Sequence, residues 1–566
     1  MGNNQWDTEC DILVVGSGAG GLTAAVVAAD RHAETLVVEK GERFGGTSAT
    51  SGAVLWIPLS HLAEAAGAQD SPQEAFTYIK ALAGDDAADD LIQTFIARGR
   101  EMLRYMVDNS DVAYKPIPYP DYRSEQPGGK SGWRSHDCVP LDGRLLGGDL
   151  DHLERPHVSN MLFGRFVWNS IDASKLVTRT PGWIGAMLRT LWRHYSDVGQ
   201  RLRSSQSRYL TGGNALIGRL KLSLDKRGVP LWLNTTLLEL VSDDHGRVSG
   251  AIVEREGRRL AVKARRAVIL AAGGFEHSPG LRARHLPASP NTEWSGAQGN
   301  NTGDAMVAAL GVGAGAAMLD SAWRAPVVRV PGEDRARPLF IERSLPGAII
   351  VNQAGNRYMN EAVDYHCAGQ AMIDNAATGT CPSFILFDSL FKWRYPMGPV
   401  LPIIPIWMHP KAVRQILVQA RDWDEMARKL NIDPAALKAT IDRFNANARQ
   451  GRDPDFHRGE TLYERIFGDQ KLEANPSLTP LAKAPFYALP VYPGDIGTNG
   501  GLRIGINAEV LDSDGQPIPG LYATGNITAS VMGRGYPGGG ATIGPAMTFG
   551  YLAARHAAPG DTAAEA

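Results

Sequence analysis

Four cysteines in 566 residues leave little material for a disulfide framework or a zinc centre. Cys10, Cys138, Cys367 and Cys381 are scattered, and none forms a CxxC pair. His136 and His366 stand near two of them without completing a ligand set, so no metal site is expected and a reducing compartment fits. Charge of one sign is also lacking. A formal net charge of -2 gives no global field for nucleic acid. No run reaches ~18 apolar residues, the length a membrane-spanning helix needs. The opening MGNNQWDTECD lacks the basic-then-apolar pattern of a signal peptide, which makes the expected location cytoplasmic. The chain is too long for one compact core, so two or more domains are expected.

Glycine is abundant, with 63 residues, and it is clustered. Asp11 to Val15 (DILVV) reads as a buried parallel strand. Gly16-Ser17-Gly18-Ala19-Gly20-Gly21 follows, then the helix-forming LTAAVVAAD, then a second strand, Thr35 to Val38, ending in Glu39. Each part suits a dinucleotide. Gly16 permits a tight turn, Gly18 admits a pyrophosphate close to the backbone, and Gly21 lets helix and strand pack. The helix N-terminus offers N–H groups and a positive dipole to phosphate, and Glu39 can accept ribose hydroxyls. Strand, glycines, helix, second strand and acid in this order are far more specific than a lone GxGxxG.

The following stretch, Lys40 to Gly52, is a Gly/Ser/Thr loop whose Gly46, Thr47, Ser48, Ser51 and Gly52 suit a second phosphate and a flat ring system. Val268 to Gly274 (VILAAGG, with Ala272, Gly273 and Gly274) reads as a third strand and glycine turn. Near the end, Gly520 to Asn526 reads as a strand entering a turn at Gly525 and Asn526. Thr542 and Ile543 then lead into a final helix with Pro545 in its first turn. Its N-terminus can stabilise negative charge on a reduced flavin. In these segments, from the first strand to about Ala554, the chain resembles the flavoprotein family of fumarate reductases, succinate dehydrogenases and ketosteroid dehydrogenases.

That resemblance implies an α/β fold with a Rossmann-like FAD-binding domain, discontinuous over 1–322 and 490–566. An inserted α+β catalytic domain over 323–489 would cover the flavin, with the active site in the cleft between them. Lys40 and Asp304 join the expected cofactor residues. The histidine that anchors FAD covalently in succinate dehydrogenases is missing between Gly46 and Ala53, so FAD is expected to be non-covalent. Two other glycine motifs do not read as nucleotide sites. Gly311 to Gly315 follows a helical stretch and suits a helix C-terminal turn. Gly129-Lys130-Ser131 has Ser124 where a phosphate loop needs its first glycine. With no nicotinamide site evident, substrate is expected to reduce the flavin directly.

Gly355 to Tyr365 places Tyr365 where fumarate reductases carry their proton-delivering arginine. Cationic clamps for a dicarboxylate are not evident. The tyrosine resembles the 3-ketosteroid 1-dehydrogenases instead. Asp121-Tyr122-Arg123-Ser124-Glu125-Gln126-Pro127-Gly128-Gly129 is similar to a segment of that family, with Arg123 and Ser124 replacing its second tyrosine and its proline. Gly535 to Gly544 matches its Tyr-Pro-Gly-x-Gly signature through Tyr536 and Gly540. Singly, each tyrosine is as readily a core residue as a functional one; the ordered set of three is what carries weight.

The resemblance implies that Tyr536 and the Gly540 N–H bind the ketone oxygen of a 3-keto-4-ene steroid. Tyr365 takes the C2 proton with help from Tyr122, and flavin N5 receives hydride from C1. Electrons would pass on to an acceptor such as a quinone. A ketosteroid 4-dehydrogenase, a fumarate-type enoate reductase and a non-enzymatic flavin-binding protein stay open at this point, as does the oligomeric state.

Three further segments carry expectations. Pro402 to Met408 is equally suited to line an apolar substrate site and to fill a core. Asp424 to Arg449 reads as two helices split at Ile432-Asp433-Pro434, with Asp433 capping the second. Leu145 to Arg208 reads as an extra helical insertion. Trp183, Met187 and Leu191 form one apolar stripe and Ile184, Leu188 and Trp192 another, with Phe163, Phe166, Trp168 and Tyr195 alongside. Lys175, Arg179, Arg189, Arg193, Arg201, Arg203 and Arg208 surround them. This composition suits a helix lying on the inner face of the cell membrane, and equally one packed on the protein or on another subunit.

Overall fold

The computed structural model describes residues 6–162, 164–178 and 180–558; Phe163 and Arg179 of the insertion lie outside the described residues. The fold is mixed α/β. Thr8–Val15 lies between two parallel neighbours: Leu13 is opposite Leu36 of Thr35–Val38 on one side and Val268 of Arg258–Leu270 on the other. Leu231–Trp232 extends the parallel sheet at one end, and Pro517–Ala523 pairs beside Val268–Leu270 at the other. Ile12, Leu13 and Val14 are fully buried, as a strand covered on both faces requires. Thr235–Ser242 and Val248–Arg255 continue the sheet in antiparallel fashion.

Two helices cross against this sheet, Ala19–Asp30 and the final Ile543–Ala557. They approach through glycines. A Cβ on Gly20 would stand 2.8 Å from the Ala546 carbonyl, and one on Gly550 would stand 2.3 Å from the Gly20 carbonyl. The sequence thus brings its two distant ends together against the nucleotide sheet.

A second sheet, antiparallel throughout, takes Arg337–Pro338, Ala322–Val328, Phe486–Thr498, Ser383–Phe387 and Ala348–Val351 in that order, with Val418–Ala420 beside Phe486–Thr498. Residue 490 lies inside the long strand that runs from this sheet back toward the nucleotide sheet. The helical pair is Trp423–Leu430 and Pro434–Ala448, and the Asp433 carboxylate accepts the Ala435 N–H. The Asp304–Gly311 helix ends in a turn through Gly313 (φ 94°), as its glycines suggest. Lys130 pairs with Glu74.

The insertion folds into Ser170–Thr178, Trp183–Ser196 and a short turn beyond. Its two stripes part company. Trp183 and Met187 face the large cavity described below, whereas Ile184, Leu188 and Trp192 are 53, 58 and 74% exposed. Among the described residues no helix is long and apolar enough to cross a membrane.

Candidate active site

A cavity of about 860 Å³ runs from the glycine turns of the nucleotide sheet to the second sheet and the insertion. Its first half is built of backbone and small side chains. Gly16 (φ 106°) turns away from the first strand so tightly that a Cβ would stand 2.4 Å from the Ala271 carbonyl. Gly18 caps the Ala19–Asp30 helix, and Gly18, Ala19 and Gly20 line the cavity at its N-terminus. The Ala19 N–H donates to Ser48 Oγ at 3.1 Å, which ties the first turn to the Gly46–Thr50 helix. Glu39 accepts the Ser17 N–H at 3.0 Å and the Gly41 N–H at 2.8 Å, and still faces the cavity. Lys40 donates to Thr302 Oγ1 at 2.6 Å and pairs with Asp304 at 2.5 Å, both at the same wall.

Gly46, Thr47, Ser48, Ser51 and Gly52 line the cavity from one side, and Ala272 and Gly273 from another. Gly525, Asn526, Thr542 and Ile543 close it, the last two at the start of the final helix. Nothing lies within 4 Å of a Cβ added to Gly46 or Gly52, so the cradle is open where a bulky group must enter. Two expected cofactor residues do not reach the cavity wall. Gly21 would carry its Cβ 2.2 Å from the Gly16 carbonyl, and Gly274 would carry one 2.0 Å from Thr498 Oγ1, so both are packing glycines.

The second half is aromatic. Tyr122, Tyr365 and Tyr536, expected from three separate segments, meet here. Tyr122 stacks on Tyr536 with ring centroids 5.6 Å apart and planes 11° off parallel. Tyr365 stands edge-on to both, at 5.6 Å from Tyr122 and 5.2 Å from Tyr536. The three phenols are close enough for Tyr122 and Tyr536 to act on the acidity of Tyr365. Gly540 lines the same chamber at φ 102°, where a Cβ would strike the Val54 carbonyl at 2.4 Å.

Local structure explains each placement. Tyr365 opens the Tyr365–Asp374 helix, whose N-cap Asp364 accepts the Cys367 N–H. The Tyr122 N–H donates to the Pro537 carbonyl at 2.9 Å, which locks its loop to the Tyr536 loop. Beneath it, Asp121 is buried with Arg134 at 2.8 Å and Trp56 Nε1 at 2.8 Å, and burial pushes its carboxyl up to about 6. Arg134 also pairs with Asp70 at 2.6 Å, so a buried guanidinium serves two carboxylates. The unusual Arg123 has a use: its guanidinium donates to Cys367 Sγ at 2.8 Å, tying the Tyr122 loop to the Tyr365 helix. His366 is held between the Arg324 N–H at 3.1 Å and the Arg534 carbonyl at 2.8 Å, beside Tyr536.

Burial dominates the acidity of the cluster. It raises Tyr365 and Tyr122 well above the ordinary phenol value and pushes Tyr536 up to about 12. For Tyr365 the two neighbouring phenols raise it further. All three are therefore neutral phenols at neutral pH. Two members of the chamber carried no readable sequence signal. Tyr463 packs on Tyr122 at 4.9 Å, and Phe340 on Tyr365 at 5.0 Å. Of the proline-rich segment, Pro402, Ile403 and Ile404 line the cavity, while Trp407 and Met408 are 73 and 56% exposed.

The chain matches the family described as FAD binding domain over residues 11–543. It belongs to that FAD-binding family. The open glycine cradle between two helix N-termini fits FAD: the first helix offers N–H groups to the pyrophosphate and the final helix a positive end to the flavin. A 3-oxosteroid 1-dehydrogenase of Mycobacterium tuberculosis is 38% identical over 97% of this chain and 98% of its own. A 4-oxocyclohexanecarboxylate 2-dehydrogenase of Sinomonas cyclohexanicum is 35% identical over 96% of this chain and 92% of its own. Among solved structures, the 3-ketosteroid delta1-dehydrogenase from Sterolibacterium denitrificans, in complex with 1,4-androstadiene-3,17-dione, superposes with a TM-score of 0.94. It is 40% identical, covering 97% of this chain and 99% of that one.

Proposed function

We propose that this FAD-binding protein is a 3-oxosteroid 1-dehydrogenase, removing hydrogen from C1 and C2 of a 3-keto-4-ene steroid. The observation that carries this reading is the meeting of Tyr122, Tyr365, Tyr536 and Gly540 in one apolar chamber next to the FAD cradle. Bound FAD supplies a two-electron, hydride-accepting ring system. Tyr536 donates its hydroxyl, and Gly540 its N–H, to the ketone oxygen as enolate charge develops there; one such donor contributes ~10²–10³ in rate. That polarisation acidifies the C2 proton.

Tyr365 takes this proton. Because burial keeps the resting group a neutral phenol, it accepts the C2 proton only after its own proton has been lost to solvent, with Tyr122 packed beside it. The chamber's aromatic and aliphatic walls exclude water from the enolate and fit a flat, apolar skeleton better than a charged monocyclic acid. The deciding experiment is incubation with androst-4-ene-3,17-dione and a dye acceptor. The expected product is the 1,4-diene. A 4,6-diene or no product contradicts the reading.

FAD is held without a covalent bond, since no histidine stands between Gly46 and Ala53; acid precipitation releases it. Electrons leave to a quinone-type acceptor. The protein docks peripherally on an anionic membrane through the 145–208 insertion, from which its lipid-soluble substrate and a quinone are both within reach. The exposed Ile184, Leu188 and Trp192 insert, and the flanking arginines meet acidic headgroups. Co-sedimentation with anionic liposomes should occur at low salt, weaken at high salt, and be lost when these three residues become Ser. A wild type that stays in the supernatant at low salt refutes the docking.

A further inference from the structure

The cavity has a closed end and an open one. Tyr365 and Tyr536 are 7 and 6% exposed, whereas Ile403, on the wall of the same cavity, is 48% exposed. Ile403 is also held in an unfavourable shape. The Ile404 N–H donates to the Pro402 carbonyl at 2.7 Å, closing a three-residue turn around Ile403 at φ 67°. For a β-branched residue that is a strained conformation, one that glycine or asparagine adopts far more readily.

Such strain persists only where the surroundings impose it. Here two side chains do so. Lys392, itself buried, donates its ammonium group to the Ile404 carbonyl. His409 accepts the Leu401 N–H at 3.0 Å on Nε2 and donates from Nδ1 to the Pro405 carbonyl at 3.1 Å. Proline at 402 and 405 stiffens the segment further. A chain that keeps isoleucine in a glycine conformation, clamped from both sides, presents that side chain at a fixed place.

We propose that Ile403 selects among substrates by the size of the group at C17. The proposal rests on the steroid reading above. With the ketone at the closed, tyrosine end, the rigid four-ring skeleton points its C17 end outward, toward the Pro402–Ile404 turn. The clamped isoleucine narrows the mouth there, so compact C17 groups enter in preference to long alkyl chains.

The test compares kcat/KM for androst-4-ene-3,17-dione and for cholest-4-en-3-one in wild type, Ile403→Ala and Ile403→Gly. Glycine relieves the backbone strain while alanine keeps it, and both remove the bulk. Both variants should shift the ratio toward the alkyl-chain substrate by about tenfold, the scale of a few hydrophobic atoms in a pocket. A ratio within about twofold of wild type in both, far under that scale, overturns the proposal. A shift in the glycine variant alone also overturns it, because turn stiffness rather than side-chain bulk would then be responsible. Wild type that oxidises neither steroid overturns this together with the reading it rests on, and is recognised by that.

Discussion

The two halves of the cavity are made of different materials. The FAD cradle is backbone: glycines at positive φ, two helix N-termini and a Ser/Thr loop, with Glu39 bracing the turns. The chamber beyond it is side chain: three phenols in mutual contact, supported by Tyr463, Phe340 and Trp323. A backbone cradle recognises a cofactor common to many chemistries, while the side-chain chamber decides which substrate is oxidised. Changes in the chamber should therefore remove turnover and leave the protein yellow.

The sharpest break in that comparison is Tyr365→Phe. It should lower turnover by ~10²–10⁴-fold, the scale of a general base, with FAD retained. Rates near wild type, or loss of FAD, would place the base elsewhere or join the two halves functionally. Next comes Tyr536→Phe, expected to cost ~10²–10³ in rate and to weaken steroid binding, because its hydroxyl is proposed to serve the ketone in ground and transition states. Unchanged steady-state kinetics would move the oxyanion site away from Tyr536.

The smallest effect is on stability. The phenols hold their protons more tightly folded than unfolded, so their contribution is complete below the ordinary value of 10.0. It is lost as pH rises from there through about 12, where Tyr536 ionises. Wild type should lose thermal stability steeply above pH ~10, and Tyr536→Phe less steeply; identical slopes would mean that these phenols are not what titrates.

The same contrast explains what could be read from the sequence. The cradle is local. Gly16, Gly18 and Glu39 fall within one strand–helix–strand unit, where spacing translates directly into geometry. There the spacing already marks Gly21 as the packing glycine, whereas Gly274 could not be told from a cofactor-facing one, since the two look alike until the neighbouring atoms are known.

The chamber is not local. Tyr122, Tyr365 and Tyr536 were visible only as fragments of a resemblance; the fold joins them, Tyr122 and Tyr536 through their bonded loops and Tyr365 on the helix packed against the second sheet. Asp121, Arg134 and Asp70, which fix the Tyr122 loop, form a buried network that no spacing rule reveals. In the insertion, helical periodicity gave two apolar stripes correctly but not their directions; only the fold turns Trp183 and Met187 inward and Ile184, Leu188 and Trp192 outward.

The tyrosine chamber is proposed to deliver a 3-ketosteroid's electrons to FAD. This is tested most directly by mixing the purified protein anaerobically with androst-4-ene-3,17-dione and following flavin absorbance near ~450 nm. Rapid bleaching in wild type, and its loss in Tyr365→Phe with the oxidised flavin spectrum intact, is the predicted result. A wild-type spectrum that does not change on mixing would contradict it.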